Sequence, residues 1–507
     1  MSGTPVSGRL VPIMDRYAHQ ANSVSIYQPF VISIHSSFSG KNTRIPILPP
    51  EDEFDLRVLK WNGTSWVYIT YEGKPINWIP NRADLDLIAH PNYFSELRPT
   101  VPPPEVLADR ADEINRLLRE SGIKDEFRPA VVGAIMLALW SSRGNIRKEE
   151  NFILSDINES CRQAFWRAKK PDLSESLRVD EANEKLAIKA HRIVSILERL
   201  NVTVLTAEYD YLGQLYETFF RYTGGNTIGQ YFTPRHITSF MADLCEVGKD
   251  DILLDPACGT GGFLISAMHR ILTQGNFSRS QVIEIVKKRL IGFEDEPITA
   301  ALCVANMILR GDGSTGVHKG DCFTSPDYPD GKASVVLMNP PFPHKNTDIS
   351  PQRFVERALD GLRLRGRLAV ILPTSLLVKK NIGKWRERIL QHHSLLAVCQ
   401  LPDELFQPYA SSTTSIVVLE KGVPHNPRRE TIFVRIQYDG LNLRKGIRVP
   451  RADGWNQLQQ AVDAVLNKRT IPGFSGVGSI SSRDEWAVGS YIPSAPASEE
   501  ELKASGV

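Results

Sequence analysis

The stretch LLDPACGTGGF, from Leu253 to Phe263, decides the fold class because it follows an apolar run and opens a helical pattern. Asp255 ends the expected strand, and Gly259 and Gly261 allow the backbone to turn sharply against a ligand. A dinucleotide-binding turn usually has the spacing G-x-G-x-x-G, but here the third glycine is missing and the helix starts directly. The spacing D-x-x-x-G-x-G therefore favours a nucleoside with an amino-acid tail over a pyrophosphate.

Apolar runs and helical patterns alternate on both sides of this turn. The runs are DILLDPA, RLIGFED, SVVLMNP, RLAVILP and LLAVCQLP, and the helical stretches between them include GGFLISAMHRILTQ and PITAALCVANMILR. This alternation predicts a doubly wound α/β fold with a mostly parallel sheet that is covered on both faces. The run TTSIVVLEKG follows the preceding strand too closely for a crossover helix, so we expect it to pair antiparallel, at the edge or inserted.

The rest of the chain divides by composition. Residues 1–100 are rich in β-formers and turns and predict a small strand-rich module of unknown role. The proline-rich stretch RPTVPPPE, Arg98 to Glu105, predicts a stiff linker. The expected domains are a helical domain at 104–230, the α/β domain at 231–440, and a weakly patterned C-terminal segment or tail at 441–507.

Composition excludes several classes of protein. Hydrophobic residues make up 42% and charged residues 23% of the 507-residue chain, as in soluble globular proteins. No apolar run approaches the roughly 18 residues of a membrane span, and the start MSGTPVSGRLVPIMDRY lacks the apolar core of a secretory signal. The six cysteines form no C-x-x-C pair, which argues against a metal site or a disulfide framework and fits a reducing cytoplasm.

Two further acidic residues fall at the ends of the next two expected strands. Glu294 in GFEDE lies where a carboxylate can bind both ribose hydroxyls, and Asp321 in KGDCF lies where it can accept from an adenine amino group. Each acid alone could equally be a solvated or capping residue. Three acids at successive strand ends after a glycine turn, however, predict a pocket for S-adenosylmethionine, since ligands bind at the carboxyl ends of such strands.

The fourth expected strand runs into VVLMNPPFP, Val335 to Pro343. Two prolines end sheet pairing and stiffen the loop, which leaves one amide and one aromatic ring beside the pocket. An ordinary strand-ending turn is the alternative interpretation of this loop taken alone. Next to a cofactor pocket, the loop is suited to hold a flat substrate with polar edges.

These motifs, in this order, resemble the amino-methylating DNA methyltransferases, and most closely the modification subunits of type I restriction-modification systems. The resemblance covers roughly Asp210 to Gly422. YDYLGQLYETFFRY resembles the helical segment before the catalytic domain, GQYFTPRHI the motif that covers the cofactor, and GFEDEP and ANMILRGD the segments after the glycine motif. GRLAVILPTSLL and TTSIVVLEKG resemble the later strands. Ser334 departs from the family, because an acid commonly precedes the fourth strand.

The resemblance implies a seven-stranded class I methyltransferase sheet and a set of site residues. It places Tyr231, Thr233 and Pro234 against the methionine part of the cofactor. The cofactor-binding residues predicted in all are Tyr231, Thr233, Pro234, Asp255, Pro256, Ala257, Cys258, Gly259, Thr260, Gly261, Phe263, Glu294, Asp321 and Cys322.

The catalytic residues implied by the resemblance are Asn339, Pro340, Pro341 and Phe342. The adenine swings out of the duplex, its N6 amine donates to Asn339 and to the carbonyl of Pro340, and Phe342 stacks on the base. Two acceptors favour a more tetrahedral nitrogen, while in-line approach to the sulfonium methyl supplies most of the rate. This chemistry requires neither a metal nor a nucleophilic side chain.

Several alternatives remain at this point. A 5-methylcytosine enzyme needs a cysteine after proline in this loop, and Cys258 lies elsewhere. An N4-cytosine enzyme more often has serine in place of Asn339. Protein-glutamine and ribosomal-RNA methyltransferases share the NPP loop, but the helical region and the TP motif favour DNA. A subunit that binds DNA without catalysis is the third class.

The expected partners are double-stranded DNA, a separate specificity subunit that reads the sequence, and possibly a restriction subunit. Reading bases takes a recognition surface of substantial size, and in single-chain relatives with this motif order that domain follows the last strand. Here the residues after Gly422 lack an evident compact strand–helix pattern and finish with SAPASEEELKASGV.

Net charge is only +2, so DNA binding must rest on local basic surface. One basic run has ten basic residues, Arg353, Arg357, Arg363, Arg365, Arg367, Lys379, Lys380, Lys384, Arg386 and Arg388, against Glu356, Asp360 and Glu387. It is either a solvated face or a phosphate contact, and the sequence alone leaves both open.

Overall fold

The computed structural model describes residues 30–35, 55–61, 66–71, 74–75, 104–142, 144–200, 233–275, 277–311, 316–343, 345, 347–407, 413–444 and 447–494. The chain divides into two compact units, one of residues 1–107 with 195–205 and the other of residues 108–194 with 206–507. Within the described residues, every helix is too short or too polar to cross a bilayer.

The described part of the first unit consists mostly of short strands, together with the start of one helix and the end of another. β1 (Phe30–His35), β2 (Asp55–Trp61) and β3 (Trp66–Tyr68) form an antiparallel sheet in that order. β4 (Thr70–Tyr71) and β5 (Lys74–Pro75) pair with each other. Strands therefore occur where the composition predicts them, and the role of the module stays open.

Helices occupy much of residues 104–200, the described part of the region that was expected to be helical. They are α1 (Pro104–Glu120), α2 (Arg128–Ser141), α3 (Glu150–Arg167) and α4 (Glu184–Arg199), with 3-10 turns at Asp125–Phe127 and Pro171–Leu177. α2 is apolar on nearly all sides, so it is buried along most of its length and packs on α3. The domain boundary at residue 230 lies outside the described residues and stays a prediction.

The second unit is built on one large sheet. Its strands are β6 (Leu253–Asp255), β7 (Leu290–Glu294), β8 (Gly316–Lys319), β9 (Ala333–Met338), β10 (Leu362–Pro373), β11 (Ser394–Gln400), β12 (Thr414–Glu420), β13 (Glu430–Arg435) and β16 (Ser475–Ser479). The order across the sheet is β16-β13-β11-β12-β10-β9-β6-β7-β8. The five strands from β10 to β8 are all parallel, which confirms the mostly parallel α/β fold.

Helices cover this sheet on both faces, as its buried strands require. They are α5 (Arg235–Leu244), α6 (Gly262–Thr273), α7 (Arg279–Val286), α8 (Pro297–Leu309), α9 (Pro351–Gly361), α10 (Thr374–Val378), α11 (Gly383–His392) and α12 (Leu458–Asn467). All six residues of β9 are buried, in agreement with a central strand.

β12 is inserted between β10 and β11 and runs antiparallel to both. Val417 of β12 pairs with Val370 on one side and with Val398 on the other. The short connection from β11 leaves no room for a crossover helix, so the chain returns as a hairpin-like strand. The expected antiparallel pairing of TTSIVVLEKG is therefore confirmed, in its inserted form.

The expected count of seven strands in the sheet is wrong, because β13 and β16 extend it to nine. β13 pairs parallel with β11, and β16 pairs antiparallel with β13. β16 has the sequence SGVGS, which carries no alternating apolar pattern. A Cβ on Gly476 would lie 2.0 Å from the carbonyl oxygen of Tyr491, so glycine is needed for the close crossing of another segment.

The expectation that residues after Gly422 lack a compact strand–helix pattern is also wrong. Besides β13, α12 and β16, this segment contains the hairpin β14 (Leu441–Arg444) with β15 (Ile447–Pro450). The ring of Tyr491 stacks on Phe433 of β13 at 4.1 Å. Much of the segment 423–494 thus extends the sheet.

The topology brings the carboxyl ends of five parallel strands to one edge. The turns after β6, β7, β8, β9 and β10 all lie at this edge. Because β9 lies beside β6, the NPPF loop and the glycine turn are neighbours. We call this edge of the sheet the carboxyl edge.

Candidate active site

The glycine turn joins β6 to α6 with two residues in the left-handed region. Gly259 has φ +54° and Gly261 has φ +91°, and a Cβ on Gly261 would lie 2.9 Å from the Sγ of Cys303. The amide of Cys258 donates to the carbonyl of Phe293 at 2.9 Å, which ties the turn to β7. The backbone at Gly261 is thus fixed both by its conformation and by its close neighbour.

Asp255 ends β6 beneath this turn and is fully buried. Its Oδ1 accepts from the amide of Ala257 at 3.2 Å, while its Oδ2 has no hydrogen-bond partner among the described residues. Burial raises the pKa of this carboxyl well above its usual range, and the nearby charge of Glu294 adds to the rise. A buried acceptor of this kind needs a partner, and a cation would suit it best.

Glu294 ends β7 and is 7% exposed. Its Oε2 accepts from the amide of Gly259 at 3.0 Å, and its Oε1 accepts from the amide of Glu296 at 3.0 Å. The carboxylate is therefore fixed against the glycine turn. The structure brings Glu294 to the position expected for a cofactor-binding residue, and its role as a ribose clamp stays a prediction.

Asp321 follows β8 at the same edge and is half-buried. Its Oδ1 accepts from the amide of Phe323 at 2.9 Å and so caps the turn after the strand. The amide of Gly320 donates to the carbonyl of Glu294 at 2.9 Å, which connects this turn to the preceding acid. Cys322 is buried, and its carbonyl accepts from Arg357 Nε at 2.8 Å. The three acids predicted to share the pocket lie on three adjacent strands.

The other predicted residues of the glycine turn are mostly buried. Cys258, Thr260 and Phe263 are 4%, 6% and 4% exposed, and Thr260 Oγ1 has no hydrogen-bond partner among the described residues. The Sγ atoms of Cys258 and Cys303 are 3.8 Å apart, and the hydrogen bond to Cys303, with burial, raises the pKa of the Cys258 thiol. Cys258 is thus a packed thiol, which makes it unsuited to act as a nucleophile. Pro256 and Ala257 complete the turn.

The NPPF loop follows β9 directly. Asn339 is half-buried, and its Nδ2 donates to Thr233 Oγ1 at 2.9 Å. Pro340 is buried and Pro341 is exposed. This hydrogen bond connects the loop to the TP motif, so the two motifs share one site.

Thr233 therefore lies beside the NPPF loop. Pro234 precedes the first residue of α5, with φ −56° and ψ 142°. The sequence predicted that Thr233 contacts the cofactor, but not that it holds Asn339. Tyr231 lies outside the described residues, as does YDYLGQLYETFFRY, and predictions on them stay open.

Phe342 packs inward against a second ring. It is 9% exposed, and its ring lies edge-on to Phe406, with centroids 6.4 Å apart and the planes at 75°. Phe406 comes from the segment after β11 and was missed in the sequence analysis, because nothing in its own spacing connects it to the NPPF loop. Edge-on packing fixes the direction of the Phe342 ring.

The sequence analysis also did not identify a buried polar pair at the C-terminal end of α8. Asn306 Nδ2 donates to the carbonyl of Thr260 at 2.8 Å, and Arg310 Nη1 donates to the backbone oxygen of Asn306 at 2.9 Å. Both side chains are at most 4% exposed. Two polar residues at i, i+4 in an otherwise apolar helix were the signal for this support of the glycine turn.

A third group that the sequence analysis did not identify connects the region of the TP motif to the C-terminal segment. His236 Nε2 lies 2.8 Å from Asp439 Oδ2, and Arg448 also bonds to Asp439. Burial raises the pKa of Asp439, but the bond to His236 and the charge of Arg448 outweigh it, so the pKa is lowered overall. This buried pair connects α5 to the hairpin β14–β15.

Comparisons with known proteins agree with this arrangement. The family model for N-6 DNA methylases matches residues 207–485, which is more than half of the 507-residue chain. RM.BcgI of Heyndrickxia coagulans, a type II restriction enzyme and methyltransferase, is 37% identical over 250 residues, which cover 47% of this chain and 39% of that protein. The EcoEI methylase subunit, of a type I restriction enzyme from Escherichia coli, is 28% identical over 249 residues, covering 45% and 50%.

A solved structure shows the same fold. The methyltransferase subunit of a type I restriction-modification system from Streptococcus thermophilus superposes with a TM-score of 0.54 at 18% identity, covering 74% of this chain and 96% of that one. This chain spans half or less of the length of the two curated relatives named above.

Proposed function

The chain belongs to the N-6 DNA methylase family, and we propose that it transfers a methyl group from S-adenosylmethionine to the N6 amine of adenine in double-stranded DNA. The observation that carries this proposal is the position of Asn339. It follows β9, beside the strand that ends at Asp255, and it bonds to the TP motif. A substrate amine at Asn339 would therefore lie next to a cofactor on the glycine turn.

The residues of the pocket fit S-adenosylmethionine. Asp255 Oδ2 is a buried acceptor that lacks a hydrogen-bond partner among the described residues, and Glu294 places a second carboxylate beside it. The cofactor carries an ammonium and a sulfonium, so two buried carboxylates complement its charge. When bound, the cofactor supplies an electrophilic methyl group. Asp255, Glu294 and Asp321 would hold it at the amino-acid tail, the ribose and the adenine.

The NPPF loop supplies the substrate side of the reaction. Asn339 Oδ1 and the carbonyl of Pro340 would each accept a hydrogen bond from one N–H of the target amine, which favours a tetrahedral nitrogen. The flipped base loses its stacking in the duplex, and Phe342 offers a π-face in return. Phe406 fixes the orientation of the Phe342 ring, so the base would stack on a ring whose plane is already set.

Adenine is favoured over the alternatives by the residue at the loop start. Asparagine rather than serine at position 339 favours N6-adenine over N4-cytosine. Methyl transfer to RNA or to a glutamine amide would use the same NPP loop. The test is the transfer of radioactive methyl from S-adenosylmethionine to duplex DNA, ribosomal RNA and total protein in parallel. Label in DNA alone agrees with the proposal, and label in RNA or protein alone contradicts it.

A separate specificity subunit, with a possible restriction subunit, forms part of the proposal. The EcoEI relative is named as a methylase subunit of a type I restriction enzyme. In this chain, residues 423–494 largely extend the sheet and pack on it, which supports a reader of bases that another subunit supplies. The test is methylation-sensitive sequencing of plasmid from a host that expresses only this chain. A single fully methylated motif would contradict the need for a partner.

A further inference from the structure

Three exposed lysines lie close together where the chain leaves β10. Lys379, Lys380 and Lys384 are all exposed, and none of them has an ion pair within the part of the chain that the structure describes. Lys379 follows α10, Lys380 begins a 3-10 turn at Lys380–Ile382, and Lys384 is the second residue of α11. We call these three residues the lysine cluster.

The lysine cluster lies at the carboxyl edge, on the same side of the sheet as the NPPF loop. β10 pairs parallel with β9, with Val370 opposite Met338, so Pro373 at its end lies at the edge that Asn339 also occupies. The single-turn helix α10 that follows has five residues, and five helical residues span about 7.5 Å. The lysines therefore follow the strand end closely.

Two buried side chains hold the segment that carries the lysine cluster in place. Arg386 is 2% exposed, and its Nη1 donates to the carbonyls of Leu376 and Lys379, both at 3.1 Å. Trp385 beside it is buried against Trp486, with ring centroids 6.1 Å apart. The backbone that carries Lys379 and its neighbours is thus held in place, while the exposed ammonium groups stay accessible.

Much of the rest of the basic run is used inside the protein or lies elsewhere. Arg357 bonds to Asp330 at 2.7 Å, and Arg388 pairs with Glu356. Arg363 and Arg365 are exposed, but they lie near the start of β10, at the opposite edge of the sheet. The lysine cluster therefore combines exposure, lack of an ion pair and a position at the carboxyl edge.

The charge of the lysine cluster does not stabilise the helix that it precedes. α11 begins at Gly383, and its first turn carries no acidic residue. Cations at a helix N-terminus oppose the helix dipole, so Lys380 and Lys384 cost stability rather than add it. The three positive charges at this place therefore need an explanation other than the stability of α11.

We propose that the lysine cluster binds phosphates of the DNA backbone beside the flipped adenine. The inference rests on the proposed function, because it takes the DNA to lie across the carboxyl edge. Contacts of this kind set the register of the duplex and carry no sequence information. They would hold the strand while the target base occupies the NPPF loop.

The test is the salt dependence of binding to a labelled 30-base-pair duplex, measured by fluorescence anisotropy with the full chain. Changing all three lysines to glutamine should lower the slope of log affinity against log salt by about 2.7, which is about 0.9 for each lost phosphate contact. The matched control changes Lys332, Arg363 and Arg365 to glutamine, because these exposed residues lie at the opposite edge. The control should keep the wild-type slope.

Each outcome decides the inference. An unchanged slope in the lysine variant, or an equal loss in the control variant, would overturn it and leave the proposed function intact. A wild-type chain that binds no duplex at low salt would instead count against the proposed function. In a second measurement, on the wild-type protein, duplex should protect Lys379, Lys380 and Lys384 from acetylation but leave Lys332 reactive; equal reactivity at all four would overturn the inference.

Discussion

The side-chain amide of Asn339 donates to the hydroxyl of Thr233 across 2.9 Å, which joins two motifs 106 residues apart in the sequence. Because Nδ2 is used in this bond, Oδ1 points in a different direction within the same amide plane. The hydroxyl of Thr233 therefore sets which atom of Asn339 a target amine meets.

We predict that Thr233→Val lowers kcat about fivefold, because one hydrogen bond contributes about 1 kcal/mol to the orientation of the amide. Thr233→Ser keeps the hydroxyl and should restore the rate. Steady-state methyl transfer measures kcat, and calorimetry measures the affinity for S-adenosylmethionine. A valine variant that loses cofactor affinity but keeps the wild-type kcat would show that Thr233 acts through the cofactor and not through Asn339.

Gly261→Val should abolish cofactor binding and destabilise the fold. Its φ of +91° is unfavourable for a side chain, and a Cβ would lie 2.9 Å from Cys303 Sγ. Gly122→Ala is the matched control, because Gly122 has φ +78° with open space around it. Calorimetry and thermal unfolding compare the two variants. Equal affinity of wild type and Gly261→Val for S-adenosylmethionine would remove the assignment of the pocket.

Asp255→Asn should stabilise the cofactor-free protein at pH 8 and abolish cofactor binding. Burial raises the pKa of Asp255 in the folded protein, so the native state binds more protons than the unfolded chain. The contribution of this group to stability therefore falls as pH rises through that raised pKa. Asparagine cannot ionise, so we expect the stability of the variant relative to the wild type to be larger at pH 8 than at pH 5.

Thermal unfolding at the two pH values checks this prediction. Asp250→Asn is the control, because that carboxylate is exposed and pairs with Lys249 at 2.6 Å. A wild type that is as stable as Asp255→Asn at pH 8 would mean that Asp255 carries no buried charge.

Phe406→Leu should lower kcat/KM for DNA by roughly 2- to 12-fold, since an edge-on aromatic pair contributes about 0.5–1.5 kcal/mol. The cofactor affinity should not change, because Phe406 contacts the ring of Phe342. Phe433→Leu breaks the ring pair with Tyr491 and serves as the control for loss of an aromatic contact. If both variants lose the same activity, the loss reflects packing and not support of Phe342.

The features that could be predicted from the sequence are those coded by local pattern. The glycine turn, the acids after β7 and β8 and the NPPF loop each follow an apolar strand, so strand order alone brings them to one edge. The antiparallel pairing of β12 could be predicted as well, but its place in the sheet, at the edge or inserted, could not.

The features that were missed depend on contacts between distant segments. β16 is glycine-rich because Tyr491 crosses it, so it shows no apolar alternation. The bond from Asn339 to Thr233 and the ring pair of Phe342 with Phe406 join residues that no spacing relates. Asn306 lies in the motif ANMILRGD, but only the fold shows that its side chain donates a hydrogen bond to the carbonyl of Thr260.

The measurement that tests the central claim most directly is mass analysis of nucleosides from DNA treated with S-adenosylmethionine and either wild type or Asn339→Ala. The specificity subunit is added in both reactions where its gene is known. We predict 6-methyladenine with the wild type, and no methylated nucleoside with Asn339→Ala although that variant binds the cofactor normally. 4-Methylcytosine as the product, or 6-methyladenine formed at an equal rate by Asn339→Ala, would contradict the account.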